Sequence, residues 1–272
     1  MKQRKRLTLL ILGLVAIAGV AAAHETWILP ASMRVPVGQP VALSLTSGMA
    51  FPNDDFPIQP ARVTRADVRL SGRIEQLPKP QPQKMSLRYL WTPRAAGVAT
   101  VAIELAPKTL ELDPKEISEY FDDIHASDEL IAQWDNMPEP KRWRESYVKH
   151  ATSFIRVGPP MRDASWAAPI GLGLEIVPAY EPTALVAGAN FQVRVLRRGV
   201  PLKGFNIGVQ REGEKATNFV PTDNNGRAWI LLPRAGRWML FGTDLRRVNE
   251  PGLEWRSDFV TTTIGVAPRN TR

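Results

Sequence analysis

The sequence predicts an all-β protein made of two immunoglobulin-like or prealbumin-like β-sandwich domains with a short helical insertion. Three observations lead there. Short runs of alternating apolar and polar residues recur along most of the chain, and 24 Pro and 19 Gly among 272 residues break them at strand-and-turn spacing. A single stretch, beginning near Asp113, replaces that alternation with helix-start chemistry. Hydrophobic residues at 44% and charged residues at 23% are enough to bury a core and argue against wholesale disorder.

Taken in order, the first 23 residues read as a leader. Lys2, Arg4, Lys5 and Arg6 form a basic start, Leu7 to Val20 an apolar stretch, and Ala21, Ala22 and Ala23 a small-residue cleavage site, the three parts of a secretory signal peptide. The apolar stretch is short for a membrane span and ends without a charged stop, so a cleaved, unanchored periplasmic protein is expected. A first sandwich domain is expected over 24–160. Met33 to Val35 and Pro40 to Leu45 read as strands around Val37-Gly38-Gln39, and Val63 to Leu70, Ser86 to Trp91 and Val98 to Leu105 as further strands. The prolines of Leu77 to Pro82 favour an extended, exposed loop.

The helical insertion is expected over about 113–150. Asp113, Pro114 and Glu116 stand in N-cap, first-turn and early-acid order, and Ile117, Tyr120, Phe121 and Ile124 follow at helical spacing. Ser127 to Ile131 starts a second short helix, and Arg142 to His150 is expected as a third, before a strand from Ser153 to Val157. Past an Ala-, Gly- and Pro-rich linker ending near Gly173, a second Ig-like sandwich domain is expected over 174–268. Its strands include Leu174 to Pro178, Asn190 to Leu196, Phe205 to Gln210, Ala228 to Leu232, Trp238 to Phe241 and Phe259 to Val266.

Composition removes several functions. Without cysteine there are no disulfides, thiolate metal sites or cysteine nucleophiles. The formal charge of +8 suggests nucleic acid, but the leader carries four of the 35 cationic side chains. The remaining 31 against 27 acids give +4, dispersed in pairs such as Arg197-Arg198 and Arg246-Arg247, so no nucleic-acid partner is expected. Neither a Gly-x-Ser-x-Gly elbow nor an HExxH motif nor a phosphate loop is present, and three His offer few general bases, so a non-enzymatic role is expected.

The sharpest chemical feature is His24. Cleavage after Ala23 frees an α-amino group, of pKa about 8, on the same residue as an imidazole, and the two nitrogens together chelate Cu(II) or Ni(II). Cleavage two residues earlier gives Ala22-Ala23-His24, a tripeptide end that wraps the same square-planar ions. His150, at the end of the expected third helix, suits that helix's dipole as well as a metal, and His125 reads as a solvated or capping residue outside the site. Asn53-Asp54-Asp55 and Asp223-Asn224-Asn225-Gly226 resemble calcium loops but lack the distal bidentate Glu, and Asn225-Gly226 is a standard hairpin turn. Trp229 and Trp238, on alternating strands, are expected in the core rather than on a carbohydrate platform.

Several of these motifs occur together in one known family. His24-Glu25-Thr26-Trp27-Ile28-Leu29-Pro30, Val157-Gly158, Leu174-Glu175-Ile176-Val177-Pro178, Pro201-Leu202-Lys203-Gly204, Thr222-Asp223 with Gly226-Arg227, Gly236-Arg237-Trp238 and Trp255-Arg256-Ser257 follow in the order of that family's pattern. The chain resembles a bacterial periplasmic family of unknown function formerly labelled a nickel-transport (NikM-like) component. The resemblance implies a protein that assists uptake or delivery of nickel, cobalt or copper, with an inner-membrane metal transporter as partner. It also implies that Asp244 stands where members carry a His, so that Asp244, and His150 with it, would complete a shell around His24. Two alternatives remain open: a structural or adaptor protein whose Ig-like domains make protein contacts, and a copper monooxygenase in which a second His beside His24 forms a copper brace.

Overall fold

Period-two burial decides most of the elements. Leu87 to Trp91 runs buried, exposed, buried, exposed, buried, and Arg227 to Leu232 keeps the same alternation, as strands with one face on a core must. The computed structural model describes residues 24–216 and 218–269, so the expected leader lies outside the described residues. The first half holds β1 (Glu25–Pro30), β2 (Arg34–Val35), β3 (Val41–Gly48), β4 (Val63–Leu70), β5 (Arg73–Gln76), β6 (Gln81–Pro82), β7 (Leu87–Trp91), β8 (Gly97–Leu105) and β9 (Lys108–Leu112). Helices α1 (Pro114–Asp123) and α2 (Asp128–Asp135) follow, then β10 (Trp143–Val157). The second half holds β11 (Leu174–Pro178), β12 (Ala189–Arg197), β13 (Val200–Pro201), β14 (Asn206–Arg211), β15 (Asn218–Pro221), β16 (Arg227–Leu232), β17 (Gly236–Glu250) and β18 (Leu253–Val266).

The helices start where their caps place them. The Asp113 N–H donates to Glu116 Oε2 at 2.8 Å, and the Leu130 N–H donates to Ser127 Oγ at 3.4 Å. The third expected helix is instead the first part of β10. Trp143, Glu145 and Tyr147 are buried at alternate positions between more exposed neighbours, which a strand allows and a helix does not. Stacking of Trp143 on Trp255, at 4.5 Å between ring centroids, fixes that register.

Two sandwiches share one ten-stranded sheet. Its main path runs β15-β14-β17-β18-β10-β8-β4-β5, with β2 and β9 also pairing β10. The β1-β3-β7-β6 sheet covers one end and buries Ile28, Leu43 and Leu45 against Val101, Ile103 and Ile155. A sheet of β11, β12, β13 and β16 covers the other end and buries Phe191, Val195 and Ile230 against Ile207, Leu240 and Ile264. Across the middle, β10 and β18 pair in parallel from Glu145↔Trp255 to Ser153↔Thr263. Alternation along β10 turns Glu145, Tyr147 and Lys149 toward the helices and β1, and His150 toward the opposite face. Gly173, just before β11, lies on that opposite face, where an added Cβ would stand 3.0 Å from His150 Cε1.

Candidate functional site

Strand β1 holds the first described residue against the shared sheet. Thr261 and Thr263 hydroxyls on β18 donate to the carbonyls of Thr26 and Ile28 at 2.6 and 2.8 Å. The His24 ring is buried and lies flat on Phe56, 4.4 Å between centroids with planes 11° apart. Together with Glu25 and Trp27 it lines an open cavity of about 610 Å³. Trp27 and Phe51, in near-perpendicular contact, pack with Met239 and Phe241 as its apolar floor. Helix α1 adds Glu116, Glu119 and Asp123 to the wall, and the segment between β14 and β15 adds Glu214 and Lys215. The carboxylates outnumber the cations of this lining, so the cleft favours a positively charged guest.

Charge at the His24 end is tightly held. Burial lowers the His24 pKa below 6.5, Lys149 lowers it further and Asp55 opposes both, so the ring is neutral at pH 7, the form that binds metal. Its buried Nε2 has no hydrogen-bond partner. Glu25 Oε2 is likewise buried and unpartnered, and burial pushes that carboxyl up to about 8 against the pull of Lys149. Burial brings Lys149 down to about 8 against the pull of Glu25. The Lys149 ammonium donates to the His24 carbonyl and rests over the Phe259 and Tyr147 rings, 5.1 and 5.7 Å from their centroids.

The structure separates the three residues that the sequence suggests as ligands. His150 faces the other side of the sheet, where its Nε2 meets Asp258 Oδ1 at 2.9 Å and its Nδ1 lies 3.3 Å from Glu104. Burial acts to lower its pKa, but the hydrogen bonds and charges of Asp258 and Glu104 outweigh it and raise the value above 6.5. Asp244 pairs with Asp258 across β17 and β18 and accepts from Arg197 and Arg246, while Arg246 also donates to Asp258 at 2.7 Å. His150 and Asp244 therefore belong to one ion-paired network, and that network lies across the sheet from His24. Among the described residues, no group of three or more His, Cys, Asp or Glu side chains could hold a metal ion by itself. Nor is a second imidazole placed for a copper brace, because His125 packs on Phe219 and lines a separate cavity with Asp244.

The other sequence features resolve as follows. Asp55 accepts from the N–H groups of Met49 and Ala50, and Asp223 from those of Asn225 and Arg227, so both acidic loops fix turns. Trp238 is buried as expected, whereas Trp229 is 48% exposed: its strand alternates, and its side chain falls on the outer face. A helix over Arg142 to His150, as the sequence suggests, hides the shared face of Lys149 and Glu145, which the strand reveals. Glu145 is wholly buried and accepts from Tyr120 Oη at 2.9 Å, Trp143 Nε1 at 3.0 Å and Ser257 Oγ. The alternation of Trp143, Glu145, Tyr147 and Lys149 was the signal available.

These features define an all-β sandwich protein with an acidic, aromatic-floored cleft beside its first strand. The chain belongs to the family described as "Domain of unknown function (DUF4198)", whose model matches residues 21–241. No curated protein matches it. Among solved structures, it is similar to the I-band fragment I67-I69 of titin, at 7% identity and a TM-score of 0.20 over 90% of this chain and 64% of that one. It is also similar to trypsin-activated alpha-2-macroglobulin of Escherichia coli, at 11% identity and a TM-score of 0.25 over 90% of this chain and 16% of that one. The Yersinia pseudotuberculosis adhesin InvE matches at 11% identity and a TM-score of 0.23, with 90% of this chain and 58% of that one covered. The chain thus spans less than two thirds of the length of each of these structures. Among the described residues, no helix is long and apolar enough to cross a membrane.

Proposed function

We infer that this chain is an exported carrier of a divalent transition metal, nickel, cobalt or copper, held at the His24 end of the acidic cleft and passed to an inner-membrane importer. One observation carries the reading: His24, buried with a neutral imidazole, lines the acidic cleft together with Glu25, whose buried carboxyl oxygen lacks a partner. An unpaired buried polar atom is costly, and a cation bound by the Glu25 oxygen would satisfy it. In the processed chain the α-amine of His24 would close a six-membered chelate ring with Nδ1 of its own imidazole, and Glu25, which burial keeps protonated near pH 7, would give up its proton to the incoming metal and supply an anionic oxygen. Asp244 and His150 stay outside the shell, because their own ion pairs occupy them. The carboxylates of the cleft would draw the cation in, and its open mouth would let a partner take it out.

Titration with Cu(II) and Ni(II) of the chain beginning at His24, beside a form carrying one extra residue before it, tests this. The extra residue is expected to weaken binding at least about tenfold, roughly 1.4 kcal/mol, and Glu25→Gln to weaken it less. Equal affinity of the two forms would overturn the chelate. Absence of binding by either form would favour an adaptor role.

A further inference from the structure

The outer face of the β11-β12-β16 sheet carries a surface that neither the core nor the metal cleft explains. Trp229 and Leu231 on β16 are 48% and 56% exposed, and Tyr180, two residues past β11, is 52% exposed. The Tyr180 and Trp229 rings lie 6.1 Å apart with planes inclined by 38°, giving two neighbouring aromatic faces open to solvent. Cross-strand register sets a polar row beside them: Gln192 opposite Trp229, Asn190 opposite Leu231 and Arg194 opposite Arg227. Gln192, Arg194 and Arg227 also line a shallow depression of about 270 Å³, floored by Val177, Pro178 and Ala179.

The arginine pair is the telling part. Like charges directly opposite in an antiparallel pair are destabilising. Among the described residues, neither guanidinium forms an ion pair. Asp223, the acid in the turn before Arg227, uses Oδ1 on the main-chain N–H groups of Asn225 and Arg227. Two guanidiniums without an ion pair beside a depression, Arg227 feeling the Asp223 carboxylate only at longer range, are suited to an anion, since guanidinium matches a carboxylate or phosphate with paired N–H donors. Exposed, rigid aromatic faces next to them suit a flat, partly apolar ring, and exposed aromatic patches of this kind mark binding surfaces.

We propose that this face binds an anionic saccharide chain, with sugar rings stacked on Trp229 and Tyr180, hydroxyls met by Gln192 and Asn190, and acidic groups met by Arg194 and Arg227. The surface is independent of the His24 cleft. The charge complement decides the occupant: an apolar protein partner would leave the two guanidiniums facing each other unpaired, whereas a uronate chain neutralises them.

The test is calorimetric titration and indole fluorescence of the full processed chain with an oligogalacturonate, its fully methyl-esterified counterpart and inorganic polyphosphate. The oligogalacturonate is expected to bind and to quench fluorescence, and the ester, which keeps the ring and loses the charge, to bind at least about tenfold more weakly. Trp229→Ala is expected to lower oligogalacturonate affinity at least about tenfold and Trp229→Phe to retain most of it, while the double variant Arg194→Gln, Arg227→Gln brings the oligogalacturonate down to the affinity of its ester. All of these side chains lie on the sheet surface, so an unchanged circular dichroism spectrum verifies the fold. Polyphosphate binding as tight as the saccharide and indifferent to Trp229→Ala would show a general polyanion surface and overturn the proposal. No binding of any of the three, or equal binding of acid and ester, would overturn it as well.

Discussion

At the scale of single residues, the buried ionisable groups carry the account. Glu145 accepts hydrogen bonds from three side chains inside an aromatic cluster, and burial raises its pKa. Removing the acceptor strands all three donors: Glu145→Ala is expected to cost about 3 kcal/mol or more in urea denaturation, and Glu145→Gln distinctly less, because an amide oxygen still accepts. Equal losses would contradict the hydrogen-bond account. His150 makes a prediction with a sign. Its folded pKa lies above 6.5, so its contribution to stability is full below pH 6.5 and lost as pH rises through the folded value. Asp258 and Glu104 are held below their ordinary values of 3.8 and 4.5, chiefly against burial, by His150 and, for Asp258, by Arg246; their contribution is lost on acidification. His150→Gln should therefore destabilise more at pH 6 than at pH 9, by about 1.5–3 kcal/mol at the lower pH. The same loss at both pH values would mean that the imidazole is neutral in the folded chain.

At the scale of elements, local chemistry was a good guide where it was self-contained. Helices α1 and α2 start at the caps that Asp113 and Ser127 announce, and the hairpin turn at Asn225-Gly226 forms as its residues demand. Gly226 sits at φ +70°, and an added Cβ would stand 2.6 Å from the Val195 carbonyl oxygen. Gly226→Ala is expected to destabilise by more than about 1 kcal/mol, read as a fall in thermal midpoint. Legibility failed where tertiary partners decide. Arg142 to His150 carries helix-forming charges, but Trp255 and the α1 aromatics claim its alternate residues, and a strand meets that claim. Reading it as a helix concealed Lys149, which meets His24 only because β10 passes beneath β1. Trp229 departs from its expected core position for a similar reason: a strand's alternation is visible in sequence, but which face is covered depends on the opposing sheet.

At the scale of the molecule, the shared sheet makes one structure of two sandwiches. Since β10 and β18 pair along nine registered positions and each also borders a sandwich core, the two halves are expected to unfold in one transition. Ile155, fully buried in the core of the first sandwich, tests this: Ile155→Ala is expected to cost about 2–5 kcal/mol while calorimetry still shows a single peak. Two resolved peaks would mean independent halves. The sheet also explains why the candidate chelate at His24 is legible in the sequence and the placement of its expected companions is not. Position after an expected cleavage site is written in the sequence, whereas the face on which His150 and Asp244 emerge is set by register across β10, β18 and β17. The central claim is that His24 binds metal through its own two nitrogens with Glu25 beside it. Pulsed electron paramagnetic resonance of the Cu(II) complex, on the chain beginning at His24, tests it most directly. The account predicts coupling to one imidazole and one directly bound amine nitrogen, both lost in His24→Ala and the amine lost when a residue precedes His24. A spectrum that persists unchanged in His24→Ala would contradict it.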